Sequence, residues 1–518
     1  MRSPNILLIM VDQLTAKALP MYGHKVVKVP NLMRLAERSA VFTNAYCNFP
    51  ICAPSRYSML SGRLAHSIGA FDNASEFAAA TPTIAHYLDN LGYRTTLCGK
   101  MHFVGPDQLH GYQERLITDI YPANFAWVPD WTEGPTNAPT GISMRAVVEA
   151  GQCLRSLQID YDDETEFLAQ QKLYDLARRT EKDPFYLTVS FSHPHSPFVA
   201  FSEHWNRYKH EDIDLPTVSE IPLEQLDTHS RWLYYSHGRD RINVTTDHIL
   251  NARHAYYGMI SYIDDKVGRL LKILEDTGLA DDTVVIFTSD HGEMLGERGM
   301  WYKQTFFEGA TRIPLLVGGP GVDSRRIVDS VVSLVDLFPT MLDLATEGNP
   351  PSVAGGFHGT SLVPLIGGRS DNWPNVVVCE YSDMGVCAPC RMIRMGMLKY
   401  FYTHGFESQL FDLEKDPLEL NNLSGNPAYR VQEHELRKRI FCGWNPEELN
   451  KEILQSQAER RVICDAMSKS RGRFHNWSYI VGPHDAERFV RGGGESAGTV
   501  AVKGRARFPY VPPAPAAS

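Results

Sequence analysis

Ile6-Leu7-Leu8-Ile9-Met10-Val11-Asp12 is an unbroken apolar run that ends in a carboxylate. Consecutive apolar residues without polar alternation read as a strand buried on both faces, the pattern of a parallel strand covered by helices. Phe185–Ser192 (FYLTVSFS) and Thr283–Ser289 (TVVIFTS) have the same character, and the second leads directly into Asp290. Helical signals fill the intervals. Pro30 to Ala36 opens one helix, and Thr81–Leu91 predicts another, stopped by Gly92 and followed by a strand at Arg94–Leu97. A long helical pattern runs from about Asp247 to Thr277, broken at Gly258 and ended by Gly278. Strands alternating with helices predict a doubly wound α/β sheet. Ligands bind such sheets at the carboxyl ends of the strands, where Asp12 and Asp290 lie.

Outward from this framework the chain changes character. From about Gly105 to Thr140 it is polar, aromatic and proline-rich with little periodicity, which predicts an insertion over the site. After about Pro374, the short runs Val376–Tyr381, Cys390–Met395 and Leu398–Thr403 predict a small antiparallel subdomain. From about Ser468, Gly, Arg and Pro dominate; this tail is expected to have no core of its own and to pack on this or a neighbouring subunit. The predicted division is 1–374, 375–467 and 468–518.

The 518 residues are 43% hydrophobic, enough for a large core. The formal net charge of -10 offers no basic footprint, so no nucleic-acid partner is expected. A local basic pocket can still sit in an acidic protein. The first apolar run is too short for a secretory or membrane segment, and no other stretch reaches membrane-spanning length. The nine cysteines do not make a disulfide framework in a chain this long. These features predict a cytoplasmic protein without a membrane partner.

Cys52-Ala53-Pro54-Ser55-Arg56, continuing to Met59-Leu60-Ser61-Gly62-Arg63, carries the most specific signal. Taken alone it is a buried thiol at a helix start, with Pro in the first turn. As a whole it resembles the C-x-P-S-R signature of the formylglycine-dependent sulfatases. That resemblance implies an alkaline-phosphatase/sulfatase-like α/β fold, a large mixed, mostly parallel sheet flanked by helices with a smaller C-terminal antiparallel subdomain. It also implies that a formylglycine-generating enzyme oxidises Cys52 to formylglycine. The hydrated aldehyde is a geminal diol. One hydroxyl attacks sulfur and the other, once deprotonated, expels sulfate by C–O cleavage, an exit that Ser or Cys lacks.

Asp12 and Ser289-Asp290-His291-Gly292 resemble the family's two metal-binding stretches. The resemblance implies that Asp12, Cys52, Asp290 and His291 hold a divalent ion, Ca²⁺ foremost. The imidazole leaves Mn²⁺ open. Gln13 stands where many sulfatases have a second Asp, and His291 where many have Asn. Gly99-Lys100-Met101-His102 resembles G-K-x-H, and Pro194-His195-Ser196-Pro197 resembles P-H-x-P. By resemblance Lys100 and Lys303 bind sulfate oxygens, His102 partners the diol, His195 protonates the leaving alkoxide, and Arg56 supports the developing charge. His193, two residues from His195 on a strand end, is expected to point elsewhere. Gln409–Leu413, Asp416-Pro417 and Asn421-Asn422-Leu423 extend the likeness in a structural role.

Within the family, Lys100 through Gly111, Thr118–Ala123, Tyr161-Asp162-Asp163 and Met294–Gly299 are similar to the choline sulfatases. A quaternary ammonium calls for an aromatic face and a carboxylate, and Trp127 and Glu380 fit those roles by position. Trp131–Val147 and the tail after about Tyr479 depart from that subgroup, whose tail helps close a neighbouring subunit's site. The expected activity is hydrolysis of a small alkyl sulfate, choline-O-sulfate first, by a homo-oligomer, dimer or tetramer. The alternative is an arylsulfatase or a phosphonate or phosphodiester hydrolase of the same superfamily. A binding protein that merely keeps the fold is disfavoured by the complete set of Cys52, Asp290, Lys100, His195 and Lys303.

Overall fold

Asn5–Val11 (β1) lies in the middle of a large sheet because both of its faces are apolar. Ile6, Leu8 and Met10 enter one hydrophobic cluster and Leu7, Ile9 and Val11 the other, so the strand joins the cores above and below the sheet. This is the computed structural model of the chain. It describes residues 3–181, 183–320, 322, 326–469, 477–482, 484–491, 503 and 506–509. The remaining strands of the sheet are Ser39–Tyr46 (β2), Arg94–Gly99 (β3), Glu114–Arg115 (β4), Phe185–Ser190 (β5), Thr283–Ser289 (β6), Arg312–Ile313 (β7), Leu315–Gly318 (β8) and Arg326–Ser333 (β9). Their order is β7-β2-β8-β6-β1-β5-β3-β4, with β9 also pairing β2. The central block β6-β1-β5-β3 is parallel, whereas β8 runs antiparallel to both β6 and β2. The α/β class is therefore as expected, and the sheet is mixed at one side. In-register pairing of Val11 with Ser289 and of Met10 with Ser190 sets the ends of β1, β5 and β6 side by side. Asp12, Asp290 and the loop carrying His195 leave the sheet at that common edge.

The helical reading needs one correction. Thr246–Asp276 is a single continuous helix, and Gly258 does not break it. A Cβ at Gly258 would stand 2.8 Å from Cβ of Ala200, so the glycine serves close approach of the helix to the strand Val199–Phe201. A second long helix, Leu157–Arg178, is not announced by an apolar stripe because several of its buried positions are polar. Asp162 on that helix accepts hydrogen bonds from the backbone N–H of Ser192 and His193 and pairs with the His193 ring at 2.7 Å. His193 is thus turned away, as its spacing predicts.

Val376–Tyr381 (β10), Cys390–Met395 (β11), Leu398–Thr403 (β12) and Gln409–Asp412 (β13) form a separate antiparallel sheet in sequential order. Part of the C-terminal tail packs back on this chain: Arg507–Phe508 pairs antiparallel with Arg155–Ser156. Among the described residues, no helix is long and apolar enough to cross a membrane.

Candidate active site

Cys52 opens the helix Cys52–Ser61, every residue of which is buried. Its free N-terminal N–H groups need acceptors, and the Asn73 side chain takes the one from Ala53 at 2.9 Å. Ser55 Oγ donates to the carbonyl of Asp290 at 2.6 Å, which fastens the helix start to the end of β6. Ligand atoms of Asp12, Cys52, Asp290 and His291 consequently lie within 4.8 Å of one another, all fully buried. The donor set fits a divalent cation. His291 Nδ1 faces the Gly292 carbonyl at 3.1 Å, so its Nε2 lone pair points at Cys52 Sγ (3.3 Å) and at Asp12 (3.6 Å). Burial pushes this imidazole down to about 3, leaving it neutral, as a ligand must be. Desolvation likewise pushes the Cys52 thiol up to about 12, so as an unmodified cysteine it is protonated and a poor nucleophile.

Cations neutralise the same carboxylates. Arg56 Nε donates to Asp290 at 2.8 Å, and its Nη1 donates to the Lys100 carbonyl and to Ser190 Oγ. Its Nη2 lies 3.7 Å from Asp12. Lys100 pairs with Asp12 and stands 3.9 Å from the centroid of the Tyr121 ring. Asp290 is held well below the usual carboxylate range: although burial opposes ionisation, Arg56, His291 and Lys100 together outweigh it.

Cys52 also lines a cavity of ≈ 140 Å³, together with Asn73, Tyr121, Trp127, Ile142, His195, Lys303, Met384 and Arg491. This is below the ~300–1,000 Å³ usual for drug-sized ligands. Arg56, Lys100, His102, Asp12, Asp290 and His291 lie behind this lining. His195 Nδ1 faces the Ser196 carbonyl at 2.5 Å, so Nε2 is left to accept from Lys303 (2.8 Å) and the Tyr121 hydroxyl (3.1 Å). Burial first, then Lys303, Lys100 and Arg491, keeps His195 well below its ordinary pKa. His102 packs at right angles to Trp127, and neither ring nitrogen has a hydrogen-bond partner among the described residues.

One departure from the family pattern gains a role on this geometry, and one expected site residue loses its place. Gln13, a departure from the family's metal stretch, is outside the ligand cluster. Its side chain donates to Glu293 at 2.5 Å and accepts from Lys303, and so positions that lysine. Glu380 does not reach the cavity. It is buried on β10, where its carboxylate pairs with the His66 ring at 2.7 Å and with Arg391 at 3.3 Å. The strand's alternation turns it toward His66 and Arg391 and out of the cavity lining. Sequence reasoning also left Tyr121, Glu293 and Arg491 without a role. Glu293 is one residue beyond the Asp290–Gly292 motif and Tyr121 stands inside the Thr118–Ala123 stretch, but Arg491 lies in a tail with no motif around it.

The Sulfatase family model matches residues 4–347, and a model described as N-sulphoglucosamine sulphohydrolase, C-terminal, matches residues 296–442. A choline-sulfatase of Rhizobium meliloti (strain 1021) is 42% identical over 495 residues, spanning 94% of this chain and 96% of its own. An arylsulfatase of Clostridium perfringens (strain 13 / Type A) is 30% identical over 460 residues, 85% of this chain and 94% of its own. Among solved structures, the phosphonate monoester hydrolase of Silicibacter pomeroyi superposes with a TM-score of 0.69 at 22% identity, covering 85% of this chain and 95% of that one, a likeness of fold. The fold is that of the alkaline-phosphatase-like enzymes, and the chain belongs to the sulfatase family.

Proposed function

We propose that the enzyme hydrolyses a small alkyl sulfate ester, with choline-O-sulfate as the leading substrate, at formylglycine made from Cys52. The observation that carries the reading is the position of Cys52. Among the described residues it is the one group shared by the cavity wall and the buried cluster of Asp12, Asp290 and His291. Its thiol, pushed up to about 12, would be a weak nucleophile without conversion. The identity to a choline-sulfatase over nearly the full chain supports the alcohol, as does the aromatic wall of Trp127 and Tyr121, whose ring centroids are 4.8 Å apart.

The hydrated aldehyde would supply the attacking hydroxyl and, through its second hydroxyl, the exit for sulfate. A divalent cation held by Asp12, Asp290, His291 and the residue at 52, Ca²⁺ foremost, would polarise that group and offset sulfuryl charge. The chain's own groups do the rest. Lys303 reaches into the cavity and, with Lys100 beside the Tyr121 ring, binds sulfate oxygens, while Arg56 offsets the charge of the carboxylates and of the sulfuryl group. His195 delivers a proton to the leaving alkoxide from Nε2. Burial and, after it, the surrounding cations hold it neutral until an anion shares the cavity. A bound sulfate opposes their field and raises the imidazole's pKa, so the acid form is favoured when substrate is present.

Mass analysis of the Cys52 peptide, followed by assay against matched sulfate and phosphate esters, tests this. The expected result is an aldehyde at residue 52, preference for sulfate esters, and no turnover by a folded Cys52→Ala variant. Wild-type rates in Cys52→Ala would refute it.

A further inference from the structure

The C-terminal segment enters the same cavity, and the role assigned to it rests on the sulfate-ester reading. The helical turn Asp485–Phe489 ends in Phe489, fully buried against Tyr161 with ring centroids 5.3 Å apart. Phe489 belongs to the apolar cluster that also holds Cys52, Tyr121 and Trp127. Two residues later the Arg491 N–H donates to the Ile120 carbonyl at 2.9 Å, and Lys503 Nζ donates to the Val490 carbonyl at 3.1 Å. These anchors fix the backbone and send the Arg491 side chain into the cavity wall.

Arg491 is only 5% exposed, and its guanidinium carbon lies 5.4 Å from the centroid of the Tyr121 ring. Its Nε and Nη2 have no hydrogen-bond partner among the described residues. A buried guanidinium with undischarged N–H groups is costly unless something else supplies acceptors. Asp162 is the carboxylate whose charge reaches it, and that group is already committed to His193 and to two backbone N–H groups. The Tyr121 hydroxyl engages part of the guanidinium, and the described lining of the cavity contains no Asp or Glu, so an anionic ligand in the cavity would supply acceptors for the unpartnered Nε and Nη2.

We propose that Arg491 is a substrate-binding residue whose guanidinium donates to the non-bridging oxygens of the ester sulfate beside Cys52. The sulfate end is favoured over the alcohol end because the Tyr121 ring that Arg491 flanks also lies 3.9 Å from Lys100 Nζ, and its hydroxyl is 3.1 Å from His195 Nε2, both groups of the reacting end. At the alcohol end the same charge would repel a quaternary ammonium. The planar fork also suits two oxygens of one tetrahedral anion.

The test uses the full-length enzyme as wild type, Arg491→Ala and Arg491→Lys, with thermal unfolding to verify folding. Kinetics are measured on choline-O-sulfate and on nitrophenyl sulfate, with inorganic sulfate as inhibitor. Arg491→Ala is expected to lose about 10- to 100-fold in kcat/KM on both esters and to raise the Ki for sulfate by the same order. Arg491→Lys should recover part of the loss, since it returns the charge without the fork, and added guanidinium ion should partly rescue Arg491→Ala. An unchanged Ki for sulfate, or a loss confined to one alcohol, overturns the assignment. Calorimetric binding of inorganic sulfate separates this from the activity itself. If the wild type hydrolyses no sulfate ester, the functional reading fails. Weaker sulfate binding in Arg491→Ala would then still support the anion site, and equal binding would refute it.

Discussion

Asp12, Cys52, Arg56, Asp290 and His291 come from strand ends and one helix start, whereas Tyr121, Trp127, Ile142 and Arg491 come from an irregular stretch and the C-terminal segment. The first set is tied together: Arg56 to Asp290, Lys100 to Asp12, Ser55 to the Asp290 carbonyl. In the second set, Trp127 Nε1 and two nitrogens of Arg491 have no partner among the described residues. Groups locked by mutual ion pairs are preorganised and keep their geometry whatever binds. Groups carried on irregular backbone, with donors unspent, are free to respond to the substrate. Changes in the strand-end set should therefore cost turnover on every ester, as should loss of Arg491 if it holds the sulfate, whereas changes at Trp127 and Ile142 should sort one alcohol from another.

The largest effect tests the strand-end set. Asp290→Ala should remove bound metal and turnover together, because the carboxylate is placed to hold both the ion and Arg56. The buried Arg56 would then lose its closest carboxylate partner, a loss of about 3–5 kcal/mol of stability for a broken buried pair. Metal content and thermal unfolding measure the two consequences. Full metal stoichiometry in a destabilised Asp290→Ala would show that this aspartate serves Arg56 alone.

His195 stands between the two sets, on a strand-end loop but facing the cavity. His195→Ala should slow a poor leaving group by about 10²–10⁴-fold, the range of general acid catalysis. An alkoxide must be protonated as it leaves; a nitrophenolate leaves nearly unaided. Rates on alkyl and nitrophenyl sulfates provide the check, and equal losses would reduce His195 to a binding group.

The same division explains what the sequence makes legible. Strands buried on both faces leave unbroken apolar runs, and such a run ending in a carboxylate, as at Val11-Asp12 and Ser289-Asp290, announces both the sheet and its functional edge. The small sheet of β10, β11 and β12 is equally plain, because each strand is short and bounded by turns. Helix Leu157–Arg178 is hidden for the opposite reason: buried Asp162, Thr165 and Glu166 replace the apolar stripe, the two carboxylates being held by distant partners. Gly258 misleads because a helix packed tightly against a strand tolerates a residue that propensity alone would treat as a stop. In the site, residues inside local motifs are readable. Arg491 and Gln13 are not, since each acts through a contact far away in sequence, to Ile120 and to Lys303. Glu380 shows the converse, a residue suited by type that the fold spends on His66 and Arg391.

The smallest effect concerns the alcohol. Trp127 presents an aromatic wall to the cavity, whereas Glu380 is paired elsewhere, so any recognition of a quaternary ammonium falls on the aromatics. Trp127→Ala should raise KM for choline-O-sulfate roughly ten-fold, since a desolvated cation–π contact is worth ~1–2 kcal/mol. The neutral dimethylbutyl isostere, nearly the same shape without the charge, should be the poorer substrate of the wild type and less sensitive to the change. Glu380→Gln should leave KM for both esters unaltered while lowering the unfolding temperature, because it weakens a buried pairing and touches no substrate. These outcomes are linked. If Glu380→Gln raised KM for choline-O-sulfate alone, the carboxylate would have to leave Arg391 and reach the cavity on binding. If the neutral isostere were turned over as well as choline-O-sulfate, the aromatic wall would be reading shape, and the alcohol would be an uncharged one.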